Sequence, residues 1–410
     1  MGRLLIGACF SACLGSALLQ PGAAHAYELD VSLDVRAASS DATHSRLEGG
    51  LGKLRYDSTD DGLRLGYLRL GYRVDLTQTV RVTAGAVAYG DHDVNPLDLT
   101  ELYAEWRPIP SSSWRSRLKV GAFYPEISLE NRMRGWRSPY TLSYSAINTW
   151  VGEELRTIGA EYSLELLGRS RGHAFDLTFN AAAFGWNDTA GTVLASRGWG
   201  LHDRQSTLFG RFGNGGQPLS EHTLFYDDLD KRAGYYAGAA LNYRGLLEAR
   251  VLHYDNRARI SHDNATIRDD PWVTYFESMG LRWTPTAEWT LITQWLHGRT
   301  YDDIGLPTNA WSFDSEFLLG SYKRGPMRYS ARYDRFSSLQ TASNFIQYIG
   351  FYLGDDGHAW TLAATRQLSE HWTAVLEGIQ VDSNVAQRAL TGELPYQRER
   401  QLQLAIRYDR

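Results

Sequence analysis

From residue 27 the chain alternates apolar and polar positions. Leu29, Val31, Leu33 and Val35 are interleaved with Glu28, Asp30, Ser32, Asp34 and Arg36. A period of two belongs to a strand with one apolar and one charged face. The C-terminal end repeats the pattern, with Leu402, Leu404, Ile406 and Tyr408 set against Gln401, Gln403, Ala405, Arg407 and Asp409. Two terminal strands of matched polarity suit a sheet that closes by pairing its ends. Between them the pattern predicts strands near 63–73, 79–90, 97–107, 115–124, 154–166, 173–186, 234–244, 246–256, 272–284, 287–299, 311–321, 326–335, 358–367 and 371–382, which makes 16 in all. Most exceed the roughly 5–6 residues usual in soluble sheets. They approach the about 9–11 tilted residues that cross a bilayer.

The connections alternate in length. Short ones are predicted at 75–78, 108–114, 167–172, 244–245, 285–287, 322–325 and 368–370, and long ones near 38–62, 91–96, 125–153, 187–233, 257–271, 300–310, 336–357 and 383–398. That alternation puts both chain ends on the short-turn side, as in an up-and-down transmembrane β-barrel. The all-β fold expected is therefore a closed antiparallel barrel of about 16 strands. The apolar run Phe345–Leu353 and the segment 205–212 would raise the count to 18 if they pair with the sheet. Tyr72, Tyr89, Trp106, Tyr124, Trp186, Trp272, Trp283, Trp289, Trp311 and Trp372 fall near strand ends, where amphipathic rings suit the headgroup boundary.

Composition narrows the class further. The mean hydropathy of -0.38 is low for a helical membrane protein, and beyond residue 26 no apolar run reaches the about 20 residues of a spanning helix. Residues 1–26 read as a secretory signal, with Arg3, an apolar stretch over Leu4–Leu19 and a small-x-small site at Ala24-His25-Ala26. The rest, 27–410, reads as one barrel domain. Both cysteines, Cys9 and Cys13, fall in the signal, so the exported chain is expected to fold without disulfides. A net charge of -5 gives no support for nucleic-acid binding.

The signal, the 16 alternating strands, the short turns, the long loops and the absence of cysteine after residue 26 together resemble the Gram-negative general porins. The nearest group is the 16-stranded, phosphate-selective-type porins and their porin-like relatives. Such barrels usually end on an aromatic; here Tyr408 is followed by Asp409 and Arg410. The resemblance implies an outer-membrane channel for small hydrophilic solutes, a homotrimer seated in outer-membrane lipid, and a loop folded into the pore.

Segment 125–153 is the candidate for that loop. It carries Glu126, Glu130, Arg132, Arg134 and Arg137 beside Trp136, Tyr140, Tyr144 and Trp150, rings that can anchor it to a wall. Guanidinium pairs bidentately with phosphate and carboxylate, and rings of charge set pore selectivity. These five residues are the expected constriction, with a preference for anions. The alternative is that the three arginines pair with Glu126 and Glu130 or face external solvent. With apolar residues turned to lipid, the lumen wall receives Arg69, Arg73, Arg81, Glu101, Glu105, Arg117, Lys119, Arg328 and Arg332, and also Asp314 and Glu316. So many charges imply a water-filled lumen.

The longest loop, 187–233, can fold over or into the pore as a second constriction. His202-Asp203 within it lacks a second histidine at ligand spacing, so neither a metal nor a cofactor is expected. The chain's Gly-x-Ser-x-Gly, Gly168–Gly172, falls in the predicted short connection 167–172 and not at a strand-to-helix turn, the chain has no His-Glu-x-x-His, and its histidines are scattered, which argues against an enzyme. A receptor or adhesin barrel is the other reading, and a barrel lipase or protease a less favoured one.

Overall fold

The computed structural model describes residues 26–91, 97–212, 223–259, 271–302, 309–343 and 352–410. Sixteen antiparallel strands close into a barrel. In chain order they are β1 (Tyr27–Ser40), β2 (Gly62–Asp75), β3 (Val80–Ala88), β4 (Leu97–Trp106), β5 (Trp114–Phe123), β6 (Thr157–Leu166), β7 (Phe175–Gly185), β8 (Gly234–Tyr243), β9 (Leu247–Asp255), β10 (Val273–Trp283), β11 (Trp289–Asp302), β12 (Asn309–Arg324), β13 (Met327–Ala342), β14 (Gly354–Gln367), β15 (Trp372–Val385) and β16 (Tyr396–Asp409). Each pairs with its chain neighbours, and β1 pairs with β16 to close the ring, for example Leu33 against Tyr408. No helix of the described residues is long and apolar enough to cross a membrane.

Every predicted strand is present. The count is sixteen because the 205–212 segment does not join the barrel: Arg211–Phe212 pairs only with Thr223–Leu224 in a separate two-residue ladder. Most of the Phe345–Leu353 run, and residues 1–25 of the expected signal, lie outside the described residues.

Strand faces follow the period of two, but which face is apolar changes around the ring. On β16 the outward residues are Leu402, Leu404 and Ile406, and the buried ones are Gln401, Gln403 and Arg407. On β12 the order reverses near the long connection. Phe313 and Phe317 are buried inside, whereas Asp314 and Glu316 face outward beside His297 and Arg335. The expectation that Asp314 and Glu316 line the lumen is thereby corrected. The physical reason is that the inner wall at this level is covered by protein, so apolar side chains gain there what they would otherwise gain from lipid.

Aromatic residues ring the short-turn end outward: Trp106, Trp114, Trp283, Trp289, Tyr329 and Trp372 are all well exposed. Trp295 and Trp360 stand farther along the wall. Three of the expected girdle residues turn inward instead. Tyr124 and Trp311 are buried, and Tyr89 lies against Arg55 and Arg204 inside. Position near a strand end does not settle which face a ring occupies.

The core lies inside the ring. Helix α1 (Ala146–Glu154), between β5 and β6, is buried along its whole length. The short helix α2 (Thr192–Arg197) follows β7. Trp150 of α1 meets Trp199, Phe276 of β10 and Phe313 of β12, with ring centroids 5.2–6.0 Å apart. A dry aromatic cluster therefore joins two inter-strand segments to the wall.

Candidate functional site

Segment 124–156 makes contacts on several sides of the barrel. Its charged residues from Glu126 to Arg137 pair with the wall and not with one another, while Glu153 and Glu154 reach other inter-strand segments. Arg132 forks onto Glu248 of β9, Nη1 to Oε2 at 2.8 Å and Nη2 to Oε1 at 2.6 Å. Arg134 reaches Glu28 of β1 at 2.5 Å. Arg137 is buried, donating to Tyr67 Oη at 2.6 Å, Asp409 Oδ1 at 2.7 Å and Ser32 Oγ at 3.1 Å. Glu126 accepts from Lys119 Nζ at 2.7 Å and Arg117 Nη2 at 3.3 Å, while Arg250 donates to its backbone carbonyl at 2.6 Å. Lys119 first, then Arg117 and Arg250, hold the Glu126 carboxyl well below the usual carboxylate range against its burial. Glu130 is fully buried and accepts from Arg332 of β13 at 2.8 Å and from Asn148 Nδ2 at 2.9 Å. The pairing weighed from sequence, arginines of the segment with its own Glu126 and Glu130, is not the one observed.

The remaining expected wall residues all sit on inner faces. Arg69, Arg73, Arg81, Glu101, Glu105 and Lys119 border a cavity of about 560 Å³, together with Arg132, Arg134 and Arg250. Arg117 borders a second cavity of about 280 Å³ with Arg107, Arg115, Arg169 and Glu248. Glu126 and Arg250 line both, so the start of the segment forms the partition between two chambers. Both chambers lie toward the short turns. Arg328 lies over the Tyr140 ring at 5.1 Å and donates to Ser321 Oγ. Gly135 (φ +66°) brings the segment's backbone against the Arg69 guanidinium, where a Cβ would overlap it.

On the β12–β16 side, and toward the long connections elsewhere, the inner wall is dry. Arg332 is enclosed by Glu130, Asp334 and the carbonyls of Ser143 and Tyr144. Glu377 of β15 accepts the backbone N–H groups of Leu142 and Ser143. Asp203 accepts from Arg36 of β1 at 2.7 Å and from Arg55 at 2.8 Å. His202, the other half of the pair singled out in the sequence, faces Glu153 at 3.1 Å. Glu154 caps α2, taking the N–H groups of Gly191, Val193 and Leu194, and burial pushes its carboxyl up to about 7. Among the described residues, charged cavities with room for water lie near the short turns on the β1–β9 side only. Elsewhere, among the described residues, infolded segments supply the partners that water was expected to supply.

Sequence reasoning did not find the Arg36–Asp203–Arg55 cluster. Its separate local signs were Arg36 closing the polar face of the first strand and Asp203 in the His202-Asp203 pair. Among the described residues, two trios place potential metal-ligand atoms within 4.8 Å of one another: His44, Glu48 and Asp57, and Asp188, Asp228 and Asp230. Both are already engaged locally, His44 with Asp57 and Asp188 with the N–H groups of Leu229 and Asp230.

No protein-family model and no curated relative matches the chain. Solved structures do. The outer-membrane channel DcaP of Acinetobacter baumannii is 10% identical, with 94% of this chain and 97% of that one covered and a TM-score of 0.56. The anion-selective porin from Comamonas acidovorans is 13% identical, with coverage of 94% and 100% and a TM-score of 0.51. Salmonella typhi OmpF is 10% identical, with coverage of 94% and 97% and a TM-score of 0.51. At such identities the likeness is one of fold: these neighbours are porins, and the chain shares their closed barrel.

Proposed function

We propose that this protein is an outer-membrane channel, not an enzyme, through which small hydrophilic solutes diffuse passively, with a preference for anions. The observation that carries the reading is the pair of charged chambers inside the barrel, divided by the segment that begins at Pro125. The larger is bordered by seven basic side chains and four acidic ones. That local excess opposes the net charge of -5, and a solute in the chamber feels the nearby charges most. Arg132 and Arg134 stay exposed on the segment although each is paired, so both present guanidinium edges to the chamber. In this reading they constrict the path and draw anions. Arg137 and Glu130, buried in ion pairs, hold the segment in place. The homotrimer and the outer-membrane location are carried over from the resemblance and the shared fold.

The test is reversal potential across a planar bilayer under a KCl gradient. Wild type is expected to favour chloride, and Arg132→Ala combined with Arg134→Ala is expected to reduce that preference. Unchanged selectivity in the double variant would remove the constriction assigned to the segment. Absence of current from wild type and from every variant that loosens the interior would remove the channel.

A further inference from the structure

Three inter-strand segments meet inside the long-connection half of the barrel. Residues 53–57 are buried without exception, and so are 141–157. From 187 to 207 only Ser196 and Arg204 retain partial exposure. A wetted pore leaves its lining accessible to water, yet the wall behind these segments is as dry as they are: Arg36, Thr274, Thr300, Asp355 and Ser383 are each 0–1% exposed. Closure is also specifically bonded. Lys53 pairs with Asp355 of β14 at 2.8 Å. Glu130 and Asp334 share Arg332. Asp203 joins the wall, through Arg36, to the first segment, through Arg55. Arg36 in turn bonds Asp34, which accepts from Arg407 of β16 at 2.6 Å.

We propose that the long-connection half of the barrel rests in a closed state, sealed by a plug folded from these three segments, and that Asp203 is the latch holding the plug to the wall. This rests on the channel reading and adds that passage requires the plug to loosen. Asp203 is the choice because it bonds two different elements at once from a third. Its loss takes from two buried guanidiniums the carboxylate they share, leaving Arg36 with Asp34 and Arg55 with Asp91, whereas Lys53 joins Asp355 and the Arg197 carbonyl through one ammonium and Glu130 reaches one strand through Arg332. Removing one partner from a buried charge network is strongly destabilising, which loosens the plug at the wall.

Cysteine labelling tests the closure directly, because the chain's cysteines, Cys9 and Cys13, both lie in the expected signal. Ser338 is 2% exposed on the inner face of β13 behind the plug, and Thr178 borders the smaller chamber. Ser338→Cys and Thr178→Cys would each be reacted, in the folded barrel, with a charged, membrane-impermeant methanethiosulfonate. Ser338→Cys is expected to label more slowly than Thr178→Cys by roughly tenfold or more, since it must await local opening. Adding Asp203→Asn is expected to close most of that gap while leaving the Thr178→Cys rate unchanged, which also reports that the barrel is intact. Equal rates at both positions without Asp203→Asn would overturn the closed state. A gap that persists with Asp203→Asn would overturn the latch. Planar-bilayer current separates this proposal from the channel reading. Fast labelling of Ser338→Cys with Asp203→Asn but no current would keep the plug and remove the channel. Steady current through wild type equal to that through Asp203→Asn would keep the channel and remove the plug.

Discussion

Arg332 shows how single residues hold the interior. Its guanidinium is fully buried between Glu130, on an inter-strand segment, and Asp334, two residues along its own strand. Arg332→Ala would strand both carboxylates, and losing one partner of a buried pair costs about 3–5 kcal/mol. The denaturant midpoint of the refolded barrel should fall accordingly, and adding Glu130→Gln should recover part of the loss because the two residues act as a unit. An Arg332→Ala midpoint equal to wild type would mean the interior is wetter than described. Much of this was legible in the sequence as residue types: Arg332 and Glu130 both stand out as charges in a strand and a loop. That they meet was not legible, because 202 positions separate them and no local pattern encodes their approach.

At the scale of elements, the longer strands such as β12 and β16 have a boundary where the outward face stops being apolar. On β12 it falls between Leu318, which is exposed and apolar, and Glu316. Leu318→Arg should destabilise by up to about 2–4 kcal/mol if it sits near the bilayer midplane, while Glu316→Arg should cost far less. Unfolding in lipid vesicles distinguishes them, and equal costs would displace the boundary. Helix α1 makes a second test. Trp150 packs against three aromatic side chains and donates to Glu154 at 2.6 Å. Trp150→Ala leaves a cavity worth about 3–5 kcal/mol and should open the segment to protease before the strands unfold. The strands themselves were readable because a period of two needs no tertiary information. The helix was not: a moderately apolar stretch, Ala146–Glu154, flanked by turn-forming residues, reads as loop until the walls that bury it are in place.

Across the whole molecule, charge sorts by position. Basic residues gather around the chambers near the short turns, although the chain is net negative. Selectivity built on partly wetted charges should therefore be screened. The Debye length falls from about 10 Å at 0.1 M to about 3 Å at 1 M salt, so chloride preference should shrink steeply over that range in reversal-potential measurements. A preference unchanged by salt would place the selecting charges in a dry constriction instead.

The sequence by itself determined the barrel. Sixteen alternating strands, short turns against long connections, and the pairing of first strand with last all follow from local periodicity and from the rule that a spanning sheet leaves no open edge. It also determined which residues carry charge on the strands. Only the tertiary structure decided what those charges do. The alternation fixes that Asp314 and Phe313 face opposite ways, but which of them faces in depends on whether water or protein fills the interior at that height. That filling comes from segments 124–156 and 187–207 crossing to strands distant in sequence, and long-range contacts of this kind leave no periodic trace in the chain.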